Sequence, residues 1–161
     1  MFSENVIEAA KTHALFEHPK EACGVILGGA YKAVDNIAGD PYDHFKMPIY
    51  VGSWPIEAVI HSHCAPDHPR WPSAEDMTGQ SATGVPWGII YTDGEAASSP
   101  LWFGDHTLDE KMIGRSFVPG VYDCYALIRA WYWQNKHIKL PEFARDANWW
   151  QAGGDLFRDG F

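Results

Sequence analysis

Two histidines one residue apart, His61 and His63, lie inside the largely apolar run IEAVIHSH at residues 56–63. Alternate side chains of a β-strand point to the same face, so a strand here brings both imidazoles to one point. Imidazole nitrogen is a preferred zinc ligand, and a catalytic zinc site takes three protein ligands and leaves a fourth position to water. The pattern therefore predicts a metal site that still needs a third ligand.

Asp76 is the leading candidate for that third ligand. It follows Ser73 by three residues, and Ser73 is a good N-cap for a helix formed by AEDMTGQSA. The first turn of such a helix can be aimed back at the end of the strand. Three neighbouring side chains that could also bind a metal remain alternatives: Asp67, His68 and Glu75.

The three cysteines are an odd and scattered set, Cys23, Cys64 and Cys124. Small secreted domains instead carry an even number of cysteines that pair as disulfides. We therefore expect reduced thiols and a cytoplasmic protein. Strand alternation turns Cys64 away from the two histidines, which predicts a small buried residue rather than a ligand.

Composition excludes several classes of protein. A chain of 161 residues suits one domain, or one domain and part of another. Twelve basic residues against twenty-one acidic ones give a formal charge of −9, and no Lys/Arg cluster is present, so nucleic-acid binding is disfavoured. No stretch reaches the roughly 18 apolar residues of a membrane helix, and the N-terminus lacks the pattern of a signal peptide.

Hydrophobic periodicity predicts the elements that must position these side chains. The spacing of apolar residues predicts a helix over 4–16, and Ser73 begins a second helix. Short apolar runs predict strands at 23–29, 31–38, 46–52, 56–63 and 86–92. Strands that alternate with helices indicate a mixed α/β domain over residues 1–105, followed by a polar linker at 106–114.

The candidate residues resemble the signature of the JAMM (MPN-plus) metallopeptidases. That signature is a glutamate, here Glu21 in HPKEACGVILGG, followed by the two histidines of HSH and then by the serine and aspartate of SAED. The resemblance covers residues 1–105 and implies a mixed β-sheet flanked by helices. It also implies that Zn²⁺ is bound by His61, His63 and Asp76, with water in the fourth position.

Each role implied by the resemblance has a chemical reason. Zinc lowers the pKa of its water to about 7, and Glu21 can take the proton and pass it to the leaving amine. Ser73 can donate a hydrogen bond to the oxyanion, in addition to capping its helix. The implied activity is hydrolysis of a peptide or isopeptide bond in a protein or peptide substrate. The plainer alternative for Glu21 is a solvated turn residue.

The second half of the chain changes character at residue 115. The segment GRSFVPGVYDCYALIRAWY resembles the opening of NlpC-type cysteine peptidase domains, so residues 115–161 are predicted to be part of such an α+β domain. The resemblance implies that Cys124 is a nucleophile at a helix N-terminus, which stabilises a thiolate. His137 lies about 20 Å away along the same helix and cannot easily be its base. The alternative is a cysteine on the packed face of the helix, together with Leu127, Ile128, Trp131 and Tyr132.

The two halves in this order resemble the tail assembly proteins of lambda-like siphophages. The resemblance implies tail-tip proteins as partners, and a location in the host cytoplasm during assembly or at the virion tail tip. The substrate would be a tail protein or the peptide stems of peptidoglycan. Two alternatives stay open: a non-catalytic assembly scaffold with a structural metal, and a peptidoglycan endopeptidase that uses Cys124 in a longer chain.

Overall fold

The computed structural model describes residues 2–149, 151, 153–155 and 158. The chain divides into two compact units, one formed by Met1–Arg70 with Val85–Trp102 and the other by Trp71–Gly84 with Phe103–Phe161. Among the described residues, no helix is both long and apolar enough to cross a membrane.

A five-stranded mixed sheet forms the centre of the first unit, in the order β2-β1-β3-β4-β5. Strand β1 pairs antiparallel with both β2 and β3, whereas β3 and β4 are parallel. The predicted mixed α/β class is confirmed. The strands are β1 Cys23–Leu27, β2 Ala30–Val34, β3 Ala58–Cys64, β4 Trp87–Thr92 and β5 Leu101–Phe103.

Helix α1, Glu4–Glu17, packs its apolar side against this sheet. Val6, Ala10 and Ala14 are buried at four-residue intervals, so they lie along one side of the helix. They share a core with Ile26 of β1 and with β3 and β4 residues. The helix predicted over residues 4–16 is confirmed to within one residue.

Three local details of the sheet differ from the predictions, and the first is that the strand predicted over 31–38 ends at Val34. Residues 46–52 were expected to form a strand, but Ile49–Ser53 is a short 3-10 helix. Pro48 precedes it and cannot donate to a strand ladder, and its carbonyl instead accepts from the Val51 N–H at 3.0 Å. Strand β5 was missed because three residues are too few for an apolar period to show.

The second unit contains helices α2, Ala74–Thr83, and α3, Cys124–Lys136. A 3-10 helix at Asp105–Asp109 packs on α3. Its residues Thr107 and Leu108 are buried, although residues 106–114 were expected to be a linker. The division between two domains at residues 106–114 stays a prediction.

The face of α3 that was expected to be packed is instead exposed. The buried residues of this helix are Ala126, Arg129 and Ala130. Arg129 binds Asp105 and Glu142, which holds it in the interior of the unit despite its charge. The prediction of which face of α3 is packed was therefore wrong, because small residues and a paired arginine occupy the buried side. The exposed residues are Leu127 at 48%, Ile128 at 48%, Trp131 at 44% and Tyr132 at 38%.

A buried arginine, Arg145, ties the segment that follows α3 to the start of that helix. Arg145 donates from Nε to Asp123 Oδ2 at 2.7 Å and from Nη1 to Glu142 Oε1 at 2.6 Å. Asp123 is the N-cap of α3 and accepts from the Ala126 N–H at 2.9 Å. Burial, the largest single influence, raises the pKa of Asp123. The hydrogen bond and the positive charge of Arg145, together with the N–H groups of Ala126 and Gly120, outweigh it, so the pKa lies below its ordinary value.

Arg145→Ala is expected to destabilise the second unit by about 3–5 kcal/mol, because it leaves a buried carboxylate without its partner. The wild-type contribution is present at neutral pH. It should fade as the pH falls below about 3.9, the pKa of an unfolded aspartate, because the pKa of folded Asp123 is lower. Urea unfolding at pH 7 and pH 3, followed by tryptophan fluorescence, measures both effects. Arg158→Ala, at an exposed arginine, is the control, and equal losses from the two variants would contradict the prediction.

Candidate metal centre

Strand β3 delivers the two histidines of the site. All seven residues of the strand are buried, because it is an interior strand of the sheet. The two side chains lie on one face, as strand alternation predicts for residues two apart, and His61 Nε2 and His63 Nε2 are 3.1 Å apart. The two rings therefore present one nitrogen each to the same point.

The orientation of His63 is set by its other ring nitrogen. Nδ1 lies 2.7 Å from the carbonyl oxygen of Pro69. A carbonyl oxygen only accepts, so Nδ1 carries the proton and donates, and the lone pair is on Nε2. Ligand histidines usually donate their second N–H to a carbonyl or carboxylate in this way. The geometry prepares His63 to bind a metal through Nε2.

Aromatic side chains hold His61 in place. Phe45 stacks on its ring, with centroids 4.5 Å apart and planes 25° from parallel. Trp87 contacts the ring edge-on at 5.8 Å. Neither contact was foreseen from the sequence, because Phe45 and Trp87 lie 16 and 26 residues away in the chain.

Glu21 lies beside this pair because of strand register. Cys23 of β1 is opposite His61 of β3, and continuing the same register brings Glu21 opposite His63. Glu21 is only 3% exposed, and its Oε1 lies 3.9 Å from His63 Nε2. A solvated turn residue, the plainer alternative, does not describe this buried carboxylate.

Ser62, which the sequence analysis did not single out, secures the same register. Its side chain points away from the histidines, and its Oγ accepts from the Ala22 N–H at 2.8 Å. Its own N–H donates to the Ala22 carbonyl at 2.9 Å. These two bonds extend the pairing of the strands to the residue next to Glu21. The sequence signal that could have indicated this role was a small hydroxyl residue between the two candidate ligand histidines.

Ser73 and Asp76 form a capping box at the start of α2. Ser73 Oγ accepts from the Asp76 N–H at 3.1 Å, and the Ser73 N–H donates to Asp76 Oδ2 at 2.8 Å. The predicted N-cap is confirmed. The Ser73 hydroxyl also donates to Asp76 Oδ2 at 2.8 Å, so donation to an oxyanion requires that proton to be redirected. The catalytic role of Ser73 stays a prediction.

The three candidate metal ligands lie close together. One ligand atom each of His61, His63 and Asp76 lies within 4.8 Å of the others, and all three residues are buried. This is the only group of three or more potential ligands within the described part of the chain. The alternatives Asp67 and Glu75 are exposed, and His68 Nε2 is instead 3.0 Å from Asp43 Oδ1.

The donor set fits zinc. Two imidazole nitrogens and a carboxylate are a common ligand set of catalytic zinc, whose Zn–N bonds are about 2.0–2.1 Å long. Two nitrogens bound tetrahedrally at that length are about 3.3 Å apart. The Nε2 separation of 3.1 Å in this structure is close to that value.

Cys64 and Cys23 are buried and take no part in this group. Burial, reinforced by the nearby negative charge of Glu21, raises the pKa of Cys64 to about 11. Burial raises the pKa of Cys23 to about 12. The prediction that Cys64 is a buried residue rather than a ligand agrees with its position.

Cys124 is exposed and is the first residue of α3. The alternative in which it lies on a packed face was therefore wrong. His137 is the C-cap at the opposite end of the helix, so it does not reach the thiol, as expected. A surface pocket adjoins Cys124 and is lined by Met112, Arg115, Phe117, Tyr122, Asp123 and Leu127.

Thiol titration with Ellman's reagent at pH 8 is expected to show one fast and two slow cysteines. Cys124 is exposed, whereas buried Cys64, with a pKa of about 11, has roughly one thiolate in a thousand at that pH. Cys124→Ser should remove the fast phase and leave the slow ones. A fast phase that survives this change would contradict the assignment.

The fold and the site define a class. The chain belongs to the family of prokaryotic homologs of the JAB domain, whose sequence model matches residues 3–103. The matched span contains Glu21, both histidines, Ser73 and Asp76, so the predicted JAMM-like first half is confirmed.

More specific relatives come from two phages. The chain is 28% identical over 162 residues to tail tip assembly protein K of Escherichia phage N15, covering 92% of this chain and 62% of that protein. It is 32% identical over 106 residues to tail tip assembly protein K of Escherichia phage lambda, covering 65% and 47%. The chain thus spans less than two thirds of either relative. The predicted resemblance to lambda-like tail assembly proteins is confirmed.

A solved structure is also similar to part of the chain. The solution structure of a protein from Desulfitobacterium hafniense has a TM-score of 0.44 and 21% identity, covering 65% of this chain and 84% of that one. The NlpC-type assignment of residues 115–161 stays a prediction.

Proposed function

We propose that the chain is a zinc-dependent hydrolase of peptide or isopeptide bonds that works as a module of a phage tail assembly protein. One observation carries the proposal. The buried group of His61, His63 and Asp76 has the donor set of catalytic zinc, and the buried carboxylate of Glu21 lies 3.9 Å from His63 Nε2.

Each residue of the site has a separate role in the proposed reaction. His61, His63 and Asp76 would hold the zinc ion, which when bound would supply an acidified water and polarise the scissile carbonyl. Glu21 accepts the proton of the attacking water and passes it to the leaving amine. Burial removes competing water from around the Glu21 carboxylate. Ser73 donates to the developing oxyanion once its hydroxyl proton turns away from Asp76.

The relatives support the tail-assembly part of the proposal. Both are named tail tip assembly protein K, and the similarity to the phage N15 protein spans 92% of this chain. We propose that other tail-tip proteins are partners or substrates, and that the protein acts in the host cytoplasm during assembly or at the tail tip.

Metal analysis paired with a cleavage assay tests the proposal. The chain, purified without chelators, should contain about one zinc per molecule by elemental analysis. It should also cleave a tail protein of its own phage, detected by mass spectrometry of the fragments, and lose that activity in EDTA. A chain that neither retains nor takes up zinc would refute the proposal. Zinc without turnover on any tail protein would favour a scaffold with a structural metal.

A second candidate function rests on Cys124. Its exposure at the N-terminus of α3, beside a pocket that includes Arg115 and Tyr122, favours a peptidoglycan endopeptidase in a longer chain that supplies the base. Cys124→Ala in such a chain should abolish muropeptide cleavage. Cleavage that persists in this variant would exclude the candidate.

A further inference from the structure

The side chain of Asn36 joins the backbone of Glu21 to the loop that follows β2. Its Nδ2 donates to the carbonyl of Glu21 at 2.9 Å and to the carbonyl of His44 at 3.0 Å. Its Oδ1 accepts from the N–H groups of Ala38 and Lys46, both at 3.0 Å. One half-buried amide thus makes four hydrogen bonds to main-chain groups.

These bonds shape a loop of residues 36–46 that contains no helix or strand. The loop is closed by the Ile37 N–H, which donates to the Lys46 carbonyl at 2.9 Å. A second contact with Glu21 comes from the Pro41 carbonyl, which accepts from the Glu21 N–H at 2.8 Å. The N–H and the C=O of Glu21 are therefore both hydrogen-bonded to the 36–46 loop, the N–H to the Pro41 carbonyl and the C=O to the Asn36 side chain.

The same loop reaches the surroundings of both histidines of β3. Phe45 stacks on His61 with ring centroids 4.5 Å apart. Asp43 Oδ1 lies 3.0 Å from His68 Nε2, and the ring of His68 is 5.6 Å from that of His63. A loop without regular structure depends on its few hydrogen bonds to stay in one conformation.

We infer that Asn36 is a positioning residue of this centre: it holds the main chain of Glu21 and keeps Phe45 stacked on His61. The catalytic significance of this role rests on the proposed function. Its structural test does not. Without its amide donor, the carbonyls of Glu21 and His44 lose a shared partner and the 36–46 loop loosens. The ring of His61 then loses its stacked neighbour, and the Glu21 carboxylate loses its fixed main chain.

Asn36→Asp is the test, because it keeps the shape and the acceptor oxygen and replaces the donor by a second acceptor. The readout is the NMR shift of the His61 ring protons in metal-free protein, which the stacked ring of Phe45 displaces upfield. Phe45→Leu defines the shift without stacking. Asn36→Asp should move the His61 signals towards that position. Asn5→Asp, on the exposed first turn of α1, should leave them unchanged.

Zinc affinity supplies a second measurement. Changes to groups that orient metal ligands cost roughly 10–100-fold in affinity, and we expect about 10-fold for Asn36→Asp. Methyl signals of the core residues Ile26 and Ile60 report whether the variant is folded. If Asn36→Asp does not fold, Asn36→Ser is measured in its place.

The outcomes separate the two proposals. A folded Asn36 variant with unchanged His61 signals would overturn the positioning role. If the wild-type chain binds no zinc while Asn36→Asp still displaces the His61 signals, the proposed function fails and the positioning of His61 by Asn36 stands.

Discussion

Glu21→Gln is expected to keep its zinc and to lose about 10²–10⁴-fold in the rate of hydrolysis, the range that general acid–base catalysis contributes. The carboxamide matches the carboxylate in size but cannot accept a proton. Glu21 is 3% exposed, and its main-chain N–H and C=O are hydrogen-bonded to Pro41 and Asn36, so the substituted group should stay in place. Elemental analysis and steady-state cleavage rates of the same preparation measure the two quantities.

The control for this change is Glu57→Gln. Glu57 is exposed, lies just before β3 and four residues before His61, and accepts from the Gly29 N–H at 3.2 Å. Glu57→Gln should retain the zinc content and the hydrolysis rate of the wild type. Full activity in Glu21→Gln would assign the proton transfer to another group. Loss of zinc as well would indicate that Glu21 is a ligand.

His61→Ala is expected to weaken zinc binding by more than about 100-fold. Changes in groups that merely orient ligands cost about 10–100-fold, and removing one of three ligands should cost more. The variant also removes the ring between Phe45 and Trp87, so stability is measured alongside by thermal unfolding. Competition with a chromophoric zinc chelator gives the affinity.

Two pairs of variants make this prediction specific to the ligand set. His68→Ala removes a neighbouring histidine that binds Asp43 but is not a ligand, so it should cost much less zinc affinity than His61→Ala. Asp76→Asn should weaken binding strongly, whereas Glu75→Gln, one residue earlier and exposed, should not. Equal losses from His61→Ala and His68→Ala would require a different set of ligands.

Local patterns predicted the parts of the fold that depend on neighbours in the chain. The four-residue spacing of Val6, Ala10 and Ala14 was sufficient for α1, and alternation was sufficient to direct His61 and His63 to one face. Such patterns did not reveal the 3-10 helix at Ile49–Ser53, where a proline overrides a run of β-forming residues. Nor did they show which face of α3 is covered, because periodicity identifies an apolar face but not its partner.

The sequence by itself determined the two ends of the site: the paired histidines of β3 and the capping box of Ser73 and Asp76. Only the tertiary structure decided that Glu21 lies opposite His63, through the pairing of Cys23 with His61. Only the tertiary structure also decided that Asn36 binds the main chain of Glu21 and that Phe45 stacks on His61. The reason is physical: strand alternation and helix capping act between residues a few positions apart, whereas strand register and loop packing depend on contacts between residues far apart in the chain.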